Sequence, residues 1–253
     1  MRIPAKTALT LTLLACALGA QAQSHNATVD FSNGTQGWEG HWDGLYSNID
    51  TSLGNPVYRT QFTTHNITFV NSSNAAFTGD FSQGGSLSFG IDINVLEMRT
   101  PGEELTVPPE RDLILELRDY DRAVDGMPYS AVWINLGSLT IGQGWQHMSA
   151  TIANPLSSTL QPGWHGLGAF DPETGEDVLP EGVSFADILK GVDQIAFTTA
   201  KPGWAYNPIS FDVMVDNISV SAVPEPATLL LQALGLATLA GVERRRRQAA
   251  PRA

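Results

Sequence analysis

Five histidines, at positions 25, 41, 65, 147 and 165, are the chain's natural general bases and metal ligands, and they are scattered. No two have the His-Glu-x-x-His spacing that puts a pair of imidazoles on one helical face around zinc. The chain has no Gly-x-Ser-x-Gly elbow and no phosphate-binding loop. Its one cysteine, Cys16, lies in the opening segment, so thiol catalysis in the body is excluded. Carboxylates are abundant, and a glycosidase needs only two. With 26 acidic residues, however, a pair identifies nothing, and no Glu-x-Asp-x-Glu run occurs. Counted from Asp171, a calcium loop of the EF-hand kind would need Gly in sixth place and Glu in twelfth. Glu176 and Gly182 stand there instead. A non-catalytic role is therefore expected, with a secreted polysaccharide-acting hydrolase as the alternative.

Aromatic residues offer a different chemistry. Trp38, Trp42 and Tyr46 cluster before the early strands, and Trp164 and Trp204 lie in later Gly/Pro-rich stretches. Flat rings on loops stack on the apolar faces of sugars while polar neighbours orient them. Trp38, Trp42, Trp164 and Trp204 are thus the candidate saccharide platform. The competing expectation is that large aromatics plug the ends of a core. Trp133 and Trp145 fall on strands and are expected inside it.

The elements that must hold these residues read as strands. "SLSFGIDI" (86–93) puts Leu87, Phe89, Ile91 and Ile93 on one face, and "DLILELRDYD" does the same with Leu113, Leu115 and Leu117. "SAVWINL", "WQHMSATI" and "DQIAFTTA" follow, and earlier strands are expected at 27–31, 57–62 and 66–70. Period-2 alternation means one buried and one wet face, as in antiparallel sheets. In "FDVMVDNISV" the apolar parity changes between Val215 and Ile218, which predicts a β-bulge at Asp216-Asn217. One short helix is expected at "FADILK", capped by Ser184 with Asp187 at its third position and closed by Gly191. Residues 100–110 and 170–182 read as exposed loops. The fold class is all-β: a jelly-roll-type antiparallel β-sandwich with one short helix over residues 23–222, plus a C-terminal single transmembrane helix.

Charge is distributed unevenly. Residues 24–222 hold 7 basic and 24 acidic residues, a net of −17 against −12 for the whole chain. Such a surface repels nucleic acid. The start, "MRIPAKTALTLTLLACALGAQAQSH", has Arg2 and Lys6 ahead of a short apolar run. Ala20-Gln21-Ala22 fits the small-x-small pattern, so residues 1–22 read as a signal peptide cleaved after Ala22. Lipidation at Cys16 is a minor alternative. Cleavage at Ala22 would leave a mature chain with no cysteine, folding without disulfides.

At the other end, Pro224-Glu225-Pro226 is followed by "ATLLLQALGLATLAGV" (227–242), Glu243 and Arg244–Arg247. As a helix, 227–242 would rise about 24 Å at 1.5 Å per residue, short of the roughly 30 Å hydrocarbon core. The arginines would stay cytoplasmic, giving a marginal single-pass anchor with the body outside.

This segment resembles the PEP-CTERM sorting signal of Gram-negative bacteria, in residues Val223, Pro224, Glu225 and Pro226, the short helix, and Arg244, Arg245, Arg246 and Arg247. The resemblance implies that residues 223–253 are a sorting signal recognised by an exosortase. It also implies transient anchoring in the inner membrane and delivery to the cell surface or extracellular space, in association with exopolysaccharide and biofilm. The body resembles galactose-binding-like and laminin-B-like β-sandwiches in "GDFSQGGSLSFGIDI", "GWQHMSATI", "SFADILKGVDQIAF" and "VDNISV". That resemblance implies carbohydrate binding or an adhesive role, and a structural Ca²⁺ between the first and last strand regions. Asp216 would be a ligand, with Asp30 and Glu39 as partners, since calcium takes six to eight oxygens.

Overall fold

The computed structural model describes residues 25–83, 85–102, 109–124, 126–222 and 235. Ala20 and Ala22, residues Val223 to Pro226, the apolar segment 227–242 and Arg244 to Arg247 lie outside that description. Among the described residues no helix is long and apolar enough to cross a membrane.

Two six-stranded sheets form a sandwich, antiparallel throughout. The first runs β3 (Ser47–Asp50), β4 (Val57–Thr64), β14 (Ile209–Ala222), β6 (Leu87–Arg99) and β9 (Gln146–Ile152). β1 (Asn26–Val29) joins it along the last residues of β14. The second runs β10 (Trp164–Leu167), β8 (Ser130–Ser138), β7 (Asp112–Asp119), β13 (Gln194–Thr198), β5 (Thr68–Asn71) and β2 (Trp38–Glu39). β11 (Ala169–Asp171) and β12 (Glu176–Val178) pair as a separate hairpin, and one short helix, α1 (Phe185–Leu189), precedes β13.

The expected parities hold. Phe89, Ile91 and Ile93 of β6, Leu113, Leu115 and Leu117 of β7, and Val213, Val215, Ile218 and Val220 of β14 all lie in one buried cluster between the sheets. The expected bulge is present. Asp216 pairs with Asp92 and Ser219 with Gly90, so one residue of β14 is extra, and Asn217 takes it up at φ 48°. The extra residue restores the inward parity of Ile218 and Val220.

α1 forms where its cap predicts. The Ser184 hydroxyl accepts from the Asp187 amide at 3.2 Å, and Asp187 accepts from the Ser184 amide at 3.2 Å. The Ser184 hydroxyl, 2.6 Å from Asp187 Oδ2, and the Ser184 amide hold the Asp187 carboxyl at about 2, with help from Lys190. Asp50 is also held at about 2, by the Ser52 hydroxyl and amide and by the Arg59 guanidinium. A carboxyl lowered on folding contributes stability above its unfolded value, near 4, and loses it as pH falls towards its folded value. The urea midpoint should therefore fall between about pH 4 and pH 2, and Asp187→Asn should flatten that fall. An unchanged slope in the variant would remove the capping carboxylate from the account.

Five short strands and one residue differ from expectation. Residues 170–182, read as a loop, carry the β11–β12 hairpin, in which Ala169 pairs with Val178 and the turn closes by Gly175 N–H donating to Asp171 O at 2.8 Å. β2, β3 and β10 have two to four residues each, too few for alternation to register. Phe31 follows β1 at φ 58°, outside the ladder.

Candidate saccharide-binding cleft

The outer face of the second sheet is built from residues of the parity opposite to the core. On β8 these are Ala131, Trp133 and Asn135; His165 of β10 and Glu116 of β7 flank Trp133 as direct cross-strand partners. The Trp133 and His165 rings stack, 4.4 Å apart and 21° from parallel. Together with Asn135 they line a cleft of about 700 Å³.

The walls come from two loops. The β11–β12 hairpin contributes Phe170, Glu176 and Asp177, and the segment after β13 contributes Lys201, Gly203 and Trp204. Phe170 is 62% exposed and Trp204 64%, so both rings face solvent at the rim, whereas Trp133 is 7% exposed. The hairpin sits close because Gly166 of β10 has no side chain. A Cβ there would come within 2.5 Å of the Leu179 backbone nitrogen.

Asp112 ties wall to floor. Its carboxylate accepts from Lys201 Nζ at 3.2 Å, Asn135 Nδ2 at 2.8 Å and Ser138 Oγ at 2.7 Å. Burial alone would raise its pKa, but the bonds from Ser138 and Lys201 outweigh burial and hold it below the usual range. The Lys201 ammonium stands 4.9 Å from the centroid of the Trp204 ring. Arg111 braces the far end of the same segment, with its guanidinium 4.2 Å from the Tyr206 ring and Nη2 donating to Asn207 O at 2.8 Å. The Asn135 amide and the Lys201 ammonium are thus held in place by Asp112.

Beside the floor lies a buried ion pair. Glu116 is 2% exposed and its Oε2 accepts from Arg118 Nε at 2.9 Å and Nη2 at 2.6 Å. Arg118 Nη1 donates to Gln194 at 2.6 Å, and the guanidinium lies 4.9 Å from the Tyr129 ring. Glu116 Oε1 and Trp133 Nε1 are buried without hydrogen-bond partners.

The four tryptophans expected to form one platform are not brought together. Trp38 and Trp164 are core residues, Trp38 packed edge-on against Phe77 and Trp164 against Phe185. Their neighbours Gly37 and Gly163 mark turns, but each ring falls on a strand at inward parity. Trp42 is exposed in a separate cluster with Tyr46 and Phe62. Only Trp204 lies in the cleft. Trp133 is buried as expected, but on the outer face, where it lines the cleft; Trp145, also expected in the core, lies just before β9 and is exposed.

Of the expected calcium ligands, Asp216 and Asp30 come within electrostatic reach of each other. Burial, with the charges of Asp92 and Asp30, raises the Asp216 pKa, although Asn217 N–H and Asn55 Nδ2 donate to it at 2.8 and 2.9 Å. Asp30 is exposed and takes the Ser32 hydroxyl at 2.6 Å. Glu39 belongs to the other sheet and does not join them. Among the described residues no three His, Cys, Asp or Glu side chains are grouped to hold a metal ion.

No curated protein matches the chain. Solved structures similar to it include the C-terminal family 22 carbohydrate-binding module of Clostridium thermocellum Xyn10B, at 10% identity and TM-score 0.42, covering 80% of this chain and 97% of the module. The family 30 carbohydrate-binding module of the cellulosomal cellulase Cel9D-Cel44B of Clostridium thermocellum is 18% identical at TM-score 0.35, covering 81% and 94%. An exo-beta-agarase is 15% identical at TM-score 0.45, covering 79% of this chain and 26% of the agarase. Residues 222–247 match the PEP-CTERM protein-sorting motif, so the chain carries that sorting signal, beginning at the last residue of β14.

Proposed function

We propose that this is an exported surface protein, sorted by an exosortase, whose sandwich binds polysaccharide without cleaving it. Residues 1–22 direct export and are removed after Ala22. Residues 227–242 anchor the chain transiently in the inner membrane, with Arg244 to Arg247 on the cytoplasmic side, until processing near Pro224–Pro226. The body then works at the cell surface or in the extracellular matrix, where exopolysaccharide is its partner.

The observation that carries the binding reading is the cleft itself. Two exposed rings, Phe170 and Trp204, rise beside the Asn135 amide and Lys201 ammonium, both held by Asp112, and the His165 imidazole, stacked on Trp133. Exposed rings bury the apolar face of a pyranose, and fixed polar groups bond its hydroxyls without paying much ordering entropy on binding. The acidic body favours neutral glycans over anionic ones.

Affinity electrophoresis in xylan, laminarin and galactomannan tests this. At least one of these should retard the protein. Trp204→Ala should weaken that binding about tenfold or more, as loss of an interfacial aromatic anchor does, with the melting temperature unchanged. An affinity unaltered by Trp204→Ala would sink the assignment to this cleft.

A further inference from the structure

The outer face of the first sheet carries a second depression, of about 360 Å³. Leu53 and Asn55 line it from the β3–β4 loop, Asp92 from β6, Asp216 and Asn217 from β14, and Trp145 from the approach to β9. Trp145 is 44% exposed, the one large aromatic among these residues.

Its polar groups are set by one another. Asn217 Nδ2 donates to Asp92 Oδ2 at 2.8 Å, and His147 Nδ1 lies 2.7 Å from Asp92 Oδ1. Asp216 takes one donor on each oxygen, from Asn55 and from the Asn217 backbone. A carboxylate has about four lone-pair sites, so each can still accept hydroxyl donors. The imidazole braces Asp92 from beside the depression, lying over Gly90, where a Cβ would meet His147 Cε1 at 2.9 Å and Ser219 Oγ at 3.0 Å. A side chain at position 90 would push the ring aside.

We propose that this depression is a second saccharide subsite, binding a neutral sugar residue with Trp145 against its apolar face and Asp92 and Asp216 accepting from its hydroxyls. Two carboxylates exclude uronic acids and sulfated sugars by like-charge repulsion. The inference rests on the polysaccharide reading of the cleft and extends it. The two sites lie on outer faces of opposite sheets, so one domain holds two glycan chains and crosslinks them.

The test uses the exported protein with xylan, laminarin and galactomannan. The wild type should raise the viscosity of a dilute solution of whichever it binds. Trp145→Ala should keep retardation within twofold yet lose the viscosity rise at least tenfold. In Trp204→Ala, the residual binding should fall a further tenfold when Trp145→Ala is added. Asp92→Asn should reproduce the Trp145→Ala phenotype without changing the melting temperature. If Trp145→Ala crosslinks as well as wild type while Trp204→Ala abolishes binding, the second site falls and the cleft stands. If calorimetry shows CaCl₂ binding that Asp92→Asn removes, and saccharide binding is unaffected by Asp92→Asn, the depression is a cation site and the proposal is overturned. If no glycan is bound, cleft and second site fall together.

Discussion

Arg118→Ala should destabilise the fold by about 3–5 kcal/mol, because it leaves a buried carboxylate without its counter-charge. Glu116 is almost fully buried; Arg118 gives its Oε2 two hydrogen bonds, and the neutral Tyr129 hydroxyl lies close by. Water cannot replace them without opening the face beside Trp133. For a domain of about 200 residues, each kcal/mol moves the melting temperature by roughly 2–4 °C, so a drop near 10 °C is expected. The pair itself is another matter. Desolvating two charges offsets most of their attraction, and apolar replacement of both is often neutral or stabilising. Glu116→Leu with Arg118→Leu should therefore recover most of the loss. Urea unfolding of the single and double variants decides this. If the double variant is as unstable as Arg118→Ala alone, packing rather than charge governs the site.

Trp38→Ala is the second large effect, at about 3–5 kcal/mol for removing a fully buried indole. Its ring packs against Phe77 and Phe197, at 5.1 and 5.9 Å between centroids. β2, which carries it, has only two residues, so the indole holds this end of the second sheet more than the ladder does. Glycan retardation measured well below the melting temperature should be unaltered, the reverse of Trp204→Ala. Loss of binding in a folded Trp38→Ala protein would return Trp38 to the ligand platform.

These two tryptophans show where the sequence was legible. Long strands announced themselves: Leu87 to Ile93 and Leu113 to Leu117 alternate over enough residues to fix which face is buried. The bulge was legible too, since the parity change at Asp216-Asn217 admits one geometric remedy. "SAVWINL" was less so. Val132 and Ile134 point inward and Trp133 outward, but both parities are apolar, so periodicity alone does not say which face Trp133 takes. Trp38 and Trp204 have the same local context, a glycine just before them, and differ only in whether the next residues find a partner strand. That is a tertiary fact. Likewise the cleft joins residues 133, 165, 170 and 204, whose meeting depends on sheet order that no single segment encodes. The hairpin at 169–178 was hidden because its strands are three residues long and its turn chemistry reads as loop.

β14 has a mechanical consequence. It is the longest strand and an interior one, bonded to β6 on one side and to β4 and then β1 on the other. The sorting motif starts at its final residue. A tug on Ala222 along the strand therefore loads many ladder bonds at once, across their length, because antiparallel bonds run perpendicular to the strands. The sandwich is gripped in shear and cannot be unzipped bond by bond from that end. A body moored through this strand should withstand drag on a bound glycan far better than one moored through an edge strand.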